Sequence, residues 1–286
     1  HRFRDWKRGG HGTVDLKKSI AMSVDTYYYK LAYEMGIQRL HDWMVRFGFG
    51  EDTGIDLPNE KSGIMPSPKW KKDIYDKDWL PGETISVSIG QGYFLATPLQ
   101  IANATAMTAS KGQHITPHLL KSSDGAADVK IITKPDGKID YNGKPSDWLR
   151  MHDAMESVVE NGTGRGIYTP RYRIAGKTGT AQVKSIAQGK RYDKSAIDKR
   201  HWDHAWFNGF APVEDPQIAL AVLVENGGGG SAVAAPIGRA LFDYWMLQRK
   251  TDPILPPSAD ELKVIKRQKA FEKAMRDAIR DKEAKA

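Results

Sequence analysis

Apolar residues recur along the chain in two periods, and the change from one to the other divides it. In the first part the spacing is helical. Thr26-Tyr27-Tyr28-Tyr29 opens a run that continues through Leu31, Ala32, Met35 and Leu40, which predicts one helix up to that point. Thr97-Pro98 pairs a capping hydroxyl with a proline at the first helical position, Leu99-Gln100-Ile101-Ala102 carries that helix to about Ser110, and Gly112 ends it. Met151, Met155, Val158 and Val159 mark a further helix that stops at Asn161-Gly162. From Arg173 onward the pattern turns to strands: the segment ending in Lys177-Thr178-Gly179-Thr180, then Ala205 to Ala211, then Gln217 to Glu225, with Pro212 to Pro216 as the turn between the last two. Both faces of Ile218 to Val224 are apolar, as a strand covered by helices on each side requires. After Gly227 to Gly230, Ala232 to Leu247 reads as a helix that packs back on the sheet. These elements, with no internal repeat, predict a single mixed α/β (α+β) domain over residues 1–248, an antiparallel sheet flanked by helices. Residues 249–286 are Pro-rich and then charged, the pattern of a solvated tail.

Composition narrows this only in places. With 286 residues, 40% hydrophobic content, 8 Trp and 11 Tyr, the chain can bury a sizeable core. The net charge of +8 is spread along the chain and partly gathered in its last part, which argues against a nucleic-acid partner. No stretch approaches the ~20 apolar residues of a membrane span, and the start shows no signal-peptide pattern. The absence of cysteine excludes a disulfide framework and thiolate metal sites, but it is compatible with either redox compartment. The first residues, His1-Arg2-Phe3-Arg4-Asp5-Trp6, include no initiator Met, so the chain reads as part of a longer protein.

Lys177-Thr178-Gly179-Thr180 sets an ammonium, two hydroxyls and a residue without Cβ in a row at the end of a short apolar strand. On an extended strand Lys177 and Gly179 point to one face, Thr178 and Thr180 to the other, and Gly179 allows close approach to the backbone. A second polar group, Ser23-Val24-Asp25, opens the first predicted helix. Together these are two of the three motifs of the penicillin-recognising serine enzymes, S-x-x-K, S-x-N and K-T-G. The third is missing, since no serine is followed three positions on by lysine: Ser19 leads to Met22, Ser23 to Thr26, Ser67 to Trp70, Ser88 to Gln91.

An ordered series of short motifs joins these two. It comprises Arg4-Asp5-Trp6-Lys7 with Gly10-His11-Gly12, Ser23-Val24-Asp25-Thr26, Thr53-Gly54-Ile55-Asp56-Leu57, and Gly90-Gln91-Gly92-Tyr93 with Ala96-Thr97-Pro98. It continues with Lys177 through Val183, Phe210-Ala211-Pro212 and Glu225-Asn226-Gly227-Gly228. In this order the chain resembles the class B penicillin-binding proteins, and among them the transpeptidases of rod elongation.

The resemblance implies the penicillin-recognising serine transpeptidase fold, with the first strands and the nucleophile helix lying before residue 1, and a membrane anchor and a non-catalytic region further upstream. It implies a peptidoglycan D,D-transpeptidase, held at the bacterial inner membrane with its catalytic domain in the periplasm, that cross-links D-alanyl-D-alanine stem peptides through a serine acyl-enzyme and is a target of β-lactams. Ser23 is then a proton relay toward the leaving D-alanine, Asp25 orients it, and Lys177 keeps the network electropositive. Thr178, Gly179 and Thr180 form the substrate-binding wall, the two hydroxyls facing the substrate carboxylate and the Thr180 N–H completing an oxyanion hole. Some relatives bind zinc near Asp5 and His11 through Asp, His and Cys ligands, so these two are candidate ligands, although no cysteine is present; no other cofactor is implied. The implied partners are the glycosyltransferase and scaffold proteins of the elongation machinery. A D,D-carboxypeptidase, a β-lactamase relative, and a non-catalytic β-lactam sensor or scaffold share the same motifs and stay open. Gly162-Thr163-Gly164-Arg165-Gly166 follows a helix and leads to a strand, the reverse of a phosphate loop, and reads as a turn at the rim of the site. Trp202 and Trp206 are read as core, and His114, His118, His201 and His204 as ordinary histidines.

Overall fold

A computed structural model describes residues 5–7, 9–120, 135–183 and 197–247. The expected tail lies outside these residues, as does most of the polar loop that follows Val183. The described chain forms eight α-helices and five strands. The helices are α1 (Leu16–Ala21), α2 (Asp25–Met35), α3 (Ile37–Arg46), α4 (Pro68–Tyr75), α5 (Pro81–Val87), α6 (Pro98–Ala109), α7 (Pro145–Glu160) and α8 (Ala234–Leu247). The strands are β1 (Gln113–His114), β2 (Gly137–Lys138), β3 (Ala175–Ala181), β4 (His204–Ala211) and β5 (Ile218–Val224). None of the described helices is long and apolar enough to cross a membrane.

The strand-forming part of the sequence folds as its pattern indicates. β3, β4 and β5 make an antiparallel sheet in that order, with Lys177 opposite Asn208, Gly179 opposite Trp206, and Phe207 opposite Val222. Alternation then sorts the side chains. Ala205, Phe207, Ala211, Leu220 and Val222 face α8 and pack with Ala234, Ala235 and Phe242. Ala175 and Phe210 face the other way, onto Ile20, Ala109 and the α7 residues Ala154, Met155 and Val158. The sheet is therefore covered on both faces, which is why β5 carries apolar residues on each side. A third cluster, Ile37, Phe49, Met65, Val87 and Ala104, forms the core of the purely helical region.

Two sequence expectations need adjustment. The helix predicted through Leu40 is broken: α2 ends at Met35, Gly36 takes φ +76°, and α3 begins at once. A residue with a Cβ is disfavoured at that dihedral, so apolar periodicity carries across a break that the glycine makes possible. The motif strand starts at Ala175 rather than Arg173. By contrast α6 begins as expected, with Thr97 accepting from the Gln100 N–H and Pro98 at its first position, and ends before Gly112.

Candidate active site

The site is built where the N-terminal end of α2 meets β3. Between α1 and α2 the chain makes a tight turn through Met22, Ser23 and Val24. Val24 N–H donates to the Ser19 carbonyl at 2.9 Å, and the buried Val24 side chain anchors the turn. Ser23 sits at φ +53°, the left-handed region that costs a side-chain-bearing residue on the order of 1 kcal/mol or more. This turn delivers the Ser23 hydroxyl to the sheet, where Lys177 Nζ donates to Ser23 Oγ at 2.8 Å and to the Thr178 carbonyl at 2.7 Å. Two motif residues 154 positions apart thus share one hydrogen bond.

Burial shapes the charges of this pair. Removal from water pushes the Lys177 ammonium down to about 8, the nearby Asp25 carboxylate opposing that shift. Asp25 is raised to about 6 by its own burial and by the negative charge of Asp5, with Lys177 and His11 offsetting part of the effect. Burial and the same two carboxylates push Tyr29, one turn further along α2, up to about 12. The result is a lysine and an aspartate whose ionisations are drawn toward neutrality, beside a serine hydroxyl.

The opposite face of β3 is organised differently. Thr178, only 9% exposed, bonds through its hydroxyl to Thr163 Oγ1 at 2.7 Å. Ser231 donates to the Thr163 carbonyl at 2.6 Å, and the Gly230 N–H lies 3.4 Å from Thr180 Oγ1. Thr180 is exposed. Gly230 passes so near the strand that a Cβ there would stand 2.2 Å from the Gly179 carbonyl oxygen and 2.3 Å from that of Trp206. Of the three expected wall residues, then, Thr180 presents its side chain to solvent, Thr178 is engaged with Thr163, and Gly179 is the point of close backbone approach.

Asp5 and His11 do come together. His11 Nε2 and Asp5 Oδ1 are 2.9 Å apart, with both side chains almost fully buried. The second Asp5 oxygen accepts from the Thr26 N–H at 3.2 Å and from its hydroxyl at 3.1 Å. Burial works against its ionisation, but hydrogen bonds from Lys7, Thr26 and His11 hold the Asp5 carboxyl below the usual carboxylate range. Zinc takes about four ligands. Among the described residues no group of three or more His, Cys, Asp or Glu is placed to hold a metal. The two side chains present are bonded to one another and do not by themselves fit a zinc centre.

The model of the penicillin binding protein transpeptidase domain matches residues 1–243 of this chain. The chain belongs to the penicillin-binding protein transpeptidase family. Its relatives include the peptidoglycan D,D-transpeptidase MrdA of Acinetobacter baumannii, 56% identical over 256 residues that make up 90% of this chain and 38% of the relative. Among solved structures, Pseudomonas aeruginosa PBP2 in complex with WCK 5153 superposes with a TM-score of 0.76 at 43% identity, covering 91% of this chain and 52% of that one. Helicobacter pylori PBP2, in its complex with MreC, gives 0.74 at 34% identity, covering 86% of this chain and 43% of that one. The chain thus spans about two-fifths of the length of the curated relative it matches.

Within the family frame, sequence reading missed two participants. Thr163 lies in the glycine-rich turn that the pattern places at the rim of the site, and its hydroxyl reaches Thr178. A hydroxyl flanked by glycines that follow a helix is the available signal, since such a turn lets a short side chain meet a neighbouring strand. Trp6 is the second: its indole N–H donates to the carbonyls of Met22 at 3.2 Å and Ser23 at 2.9 Å. Backbone carbonyls carry no sequence signature, so nothing in the motif pattern announces that contact. Trp206, half-buried opposite Gly179, stays beside the Lys177 face, while Trp202 donates its indole N–H to the Ile197 carbonyl at 3.1 Å.

Proposed function

We propose that this chain is the part of a peptidoglycan D,D-transpeptidase that supplies the proton-relay and carboxylate-binding groups to a serine nucleophile. The observation that carries this reading is the hydrogen bond between Lys177 and Ser23, two partly buried groups of different motifs. In the reaction, the nucleophile's hydroxyl adds to the carbonyl of the D-alanyl-D-alanine bond, the C–N bond breaks, and D-alanine leaves with a proton on its amine. An amine of a second stem peptide then attacks the resulting ester, forming the cross-link and releasing the serine. Ser23 is suited to pass the proton to the departing amine, because a cation bonded to its oxygen makes its own O–H the better donor. Asp25 supports Lys177 through space, and Thr180, the exposed hydroxyl of the strand, is the group available to a substrate carboxylate or to its β-lactam mimic.

No serine in these residues heads an S-x-x-K motif, so the nucleophile is assigned to the portion of the relatives' length that this chain does not span. By its resemblance to the class B penicillin-binding proteins, the whole protein would sit at the bacterial inner membrane with this domain in the periplasm. A MreC-like scaffold is the partner to test first, since the Helicobacter pylori PBP2 structure contains MreC; the glycosyltransferase of the elongation machinery is the second. Zinc is not assigned a role.

The test uses the full-length protein with a D-alanyl-D-alanine stem-peptide donor and an amine acceptor. The expected result is a cross-linked product together with one D-alanine released per cross-link, both lost in Lys177→Ala. Release of D-alanine without a cross-linked product would assign a carboxypeptidase instead, and neither product would favour a sensor or scaffold.

A further inference from the structure

α2 lacks a cap of its own. The residue at its N-cap is Val24, which makes no side-chain hydrogen bond to the helix, and the residue before it, Ser23, is held in the left-handed region at φ +53° with its hydroxyl turned to Lys177. An uncapped helix start next to a strained serine needs support from outside the turn. Two consecutive residues from far earlier in the chain give it. Asp5 Oδ2 accepts from the Thr26 N–H and hydroxyl, doing for α2 what an N-cap side chain ordinarily does. Trp6, although 57% exposed, directs its indole N–H between the Met22 and Ser23 carbonyls on the other side of the same residue. Asp5 is in turn fixed by His11, whose ring meets the Trp6 ring edge-on at 5.4 Å, and the His11 carbonyl accepts from Lys18 Nζ at 2.6 Å.

We infer that the Asp5-Trp6 pair is a bracket that sets the direction of the Ser23 hydroxyl, with Trp6 a positioning residue for proton transfer at Ser23. The inference rests on the reading of Ser23 as a proton relay. Trp6 does its work through one N–H on two carbonyls, one of them belonging to Ser23 itself. Without that donor the Ser23 peptide can relax toward an ordinary dihedral, and Oγ then leaves the line to Lys177. The position would be tuned and not abolished, because Asp5 still holds Thr26.

The test is the single-turnover acylation of the full-length protein by labelled penicillin, comparing wild type with Trp6→Phe and Ser23→Ala. Phe keeps a ring beside His11 and removes only the N–H. Loss of one hydrogen bond, about 0.5–1.5 kcal/mol, converts to roughly a 2- to 13-fold lower acylation rate constant. The fraction of protein that becomes labelled is expected to stay at the wild-type value. An unchanged rate constant, or a smaller labelled fraction at unchanged rate, would overturn the bracket, the latter because it marks a purely structural role. If Ser23→Ala acylates as fast as wild type, the relay reading itself fails, whatever Trp6 does; if Ser23→Ala is slowed and Trp6→Phe is not, only the bracket fails. A measurement without substitution covers the case of a variant that does not fold. In the wild-type protein the Trp6 indole N–H is expected to exchange with solvent at least about tenfold more slowly than a free indole despite its exposed ring, and exchange at the free rate would contradict the bracket.

Discussion

The two faces of β3 solve different problems with adjacent residues. On one face Lys177, partly buried, is shielded from water by its neighbours and is held by a serine from a strained turn. On the other, Thr178 is locked to Thr163 while Thr180, two positions on, is open to solvent beside Gly230. A strand that alternates cannot present all four side chains of Lys177-Thr178-Gly179-Thr180 to one substrate. The motif divides instead into a lysine turned to Ser23, a solvent-exposed hydroxyl at Thr180, and between them a glycine whose carbonyl Gly230 approaches closely because Gly230 itself has no Cβ.

Substitutions in the full-length protein should separate the halves by size and by kinetic type. Lys177→Ala removes the buried cation and is expected to lower the acylation rate constant by on the order of 10³-fold, within the range for a positioned acid–base group, with little change in the initial affinity for β-lactam. Ser23→Ala keeps Lys177 but takes away the relay, and about 10²-fold is expected in the same stopped-flow measurement. Both losses falling on affinity in place of rate would erase the proposed division.

The pH profile sharpens the same comparison. Asp25, raised to about 6, must be anionic to support Lys177, so activity is lost as pH falls through about 6. Lys177, lowered to about 8, must be cationic, so activity is lost as pH rises through about 8. The rate constant should therefore follow a bell with its maximum near pH 7, about half that value at either limit, and about tenfold lower one unit beyond either. In Lys177→Arg, whose guanidinium stays charged in this range, the alkaline limb should disappear. On the open face, Thr180→Val is expected to weaken β-lactam affinity by at least roughly tenfold, the lower end for one hydrogen bond to a charged group, and to leave the rate constant near wild type. The smallest effect belongs to Thr163→Val, which deprives buried Thr178 of its partner. It should cost about 1 kcal/mol of stability, read in thermal unfolding, with affinity and rate almost unchanged.

Much of the scaffold is legible in the residues. The capping pair Thr97-Pro98, the Asn161-Gly162 stop and the apolar run from Ile218 to Val224 each correspond to an element of the fold, because local stereochemistry and burial decide them. The break at Gly36 was hidden, since the apolar spacing runs on through it and only the backbone dihedral records it. The site was legible as a set of motifs, yet its pairing was not: nothing in Ser23-Val24-Asp25 or in Lys177-Thr178-Gly179-Thr180 says that Ser23 must turn left-handed to meet Lys177. The opposed directions of Lys177 and Thr178 follow from strand alternation alone. The roles of Trp6 and Thr163 do not, because one acts on backbone carbonyls and the other on a side chain that the motif seemed to reserve for substrate.

The central claim is that these residues serve a nucleophile they do not include. It is tested most directly by acylating the full-length protein with labelled penicillin, digesting it, and identifying the labelled peptide by mass spectrometry. The account predicts a single labelled serine, in an S-x-x-K sequence outside residues 1–286. Label on any serine within these residues, Ser23 included, would contradict it.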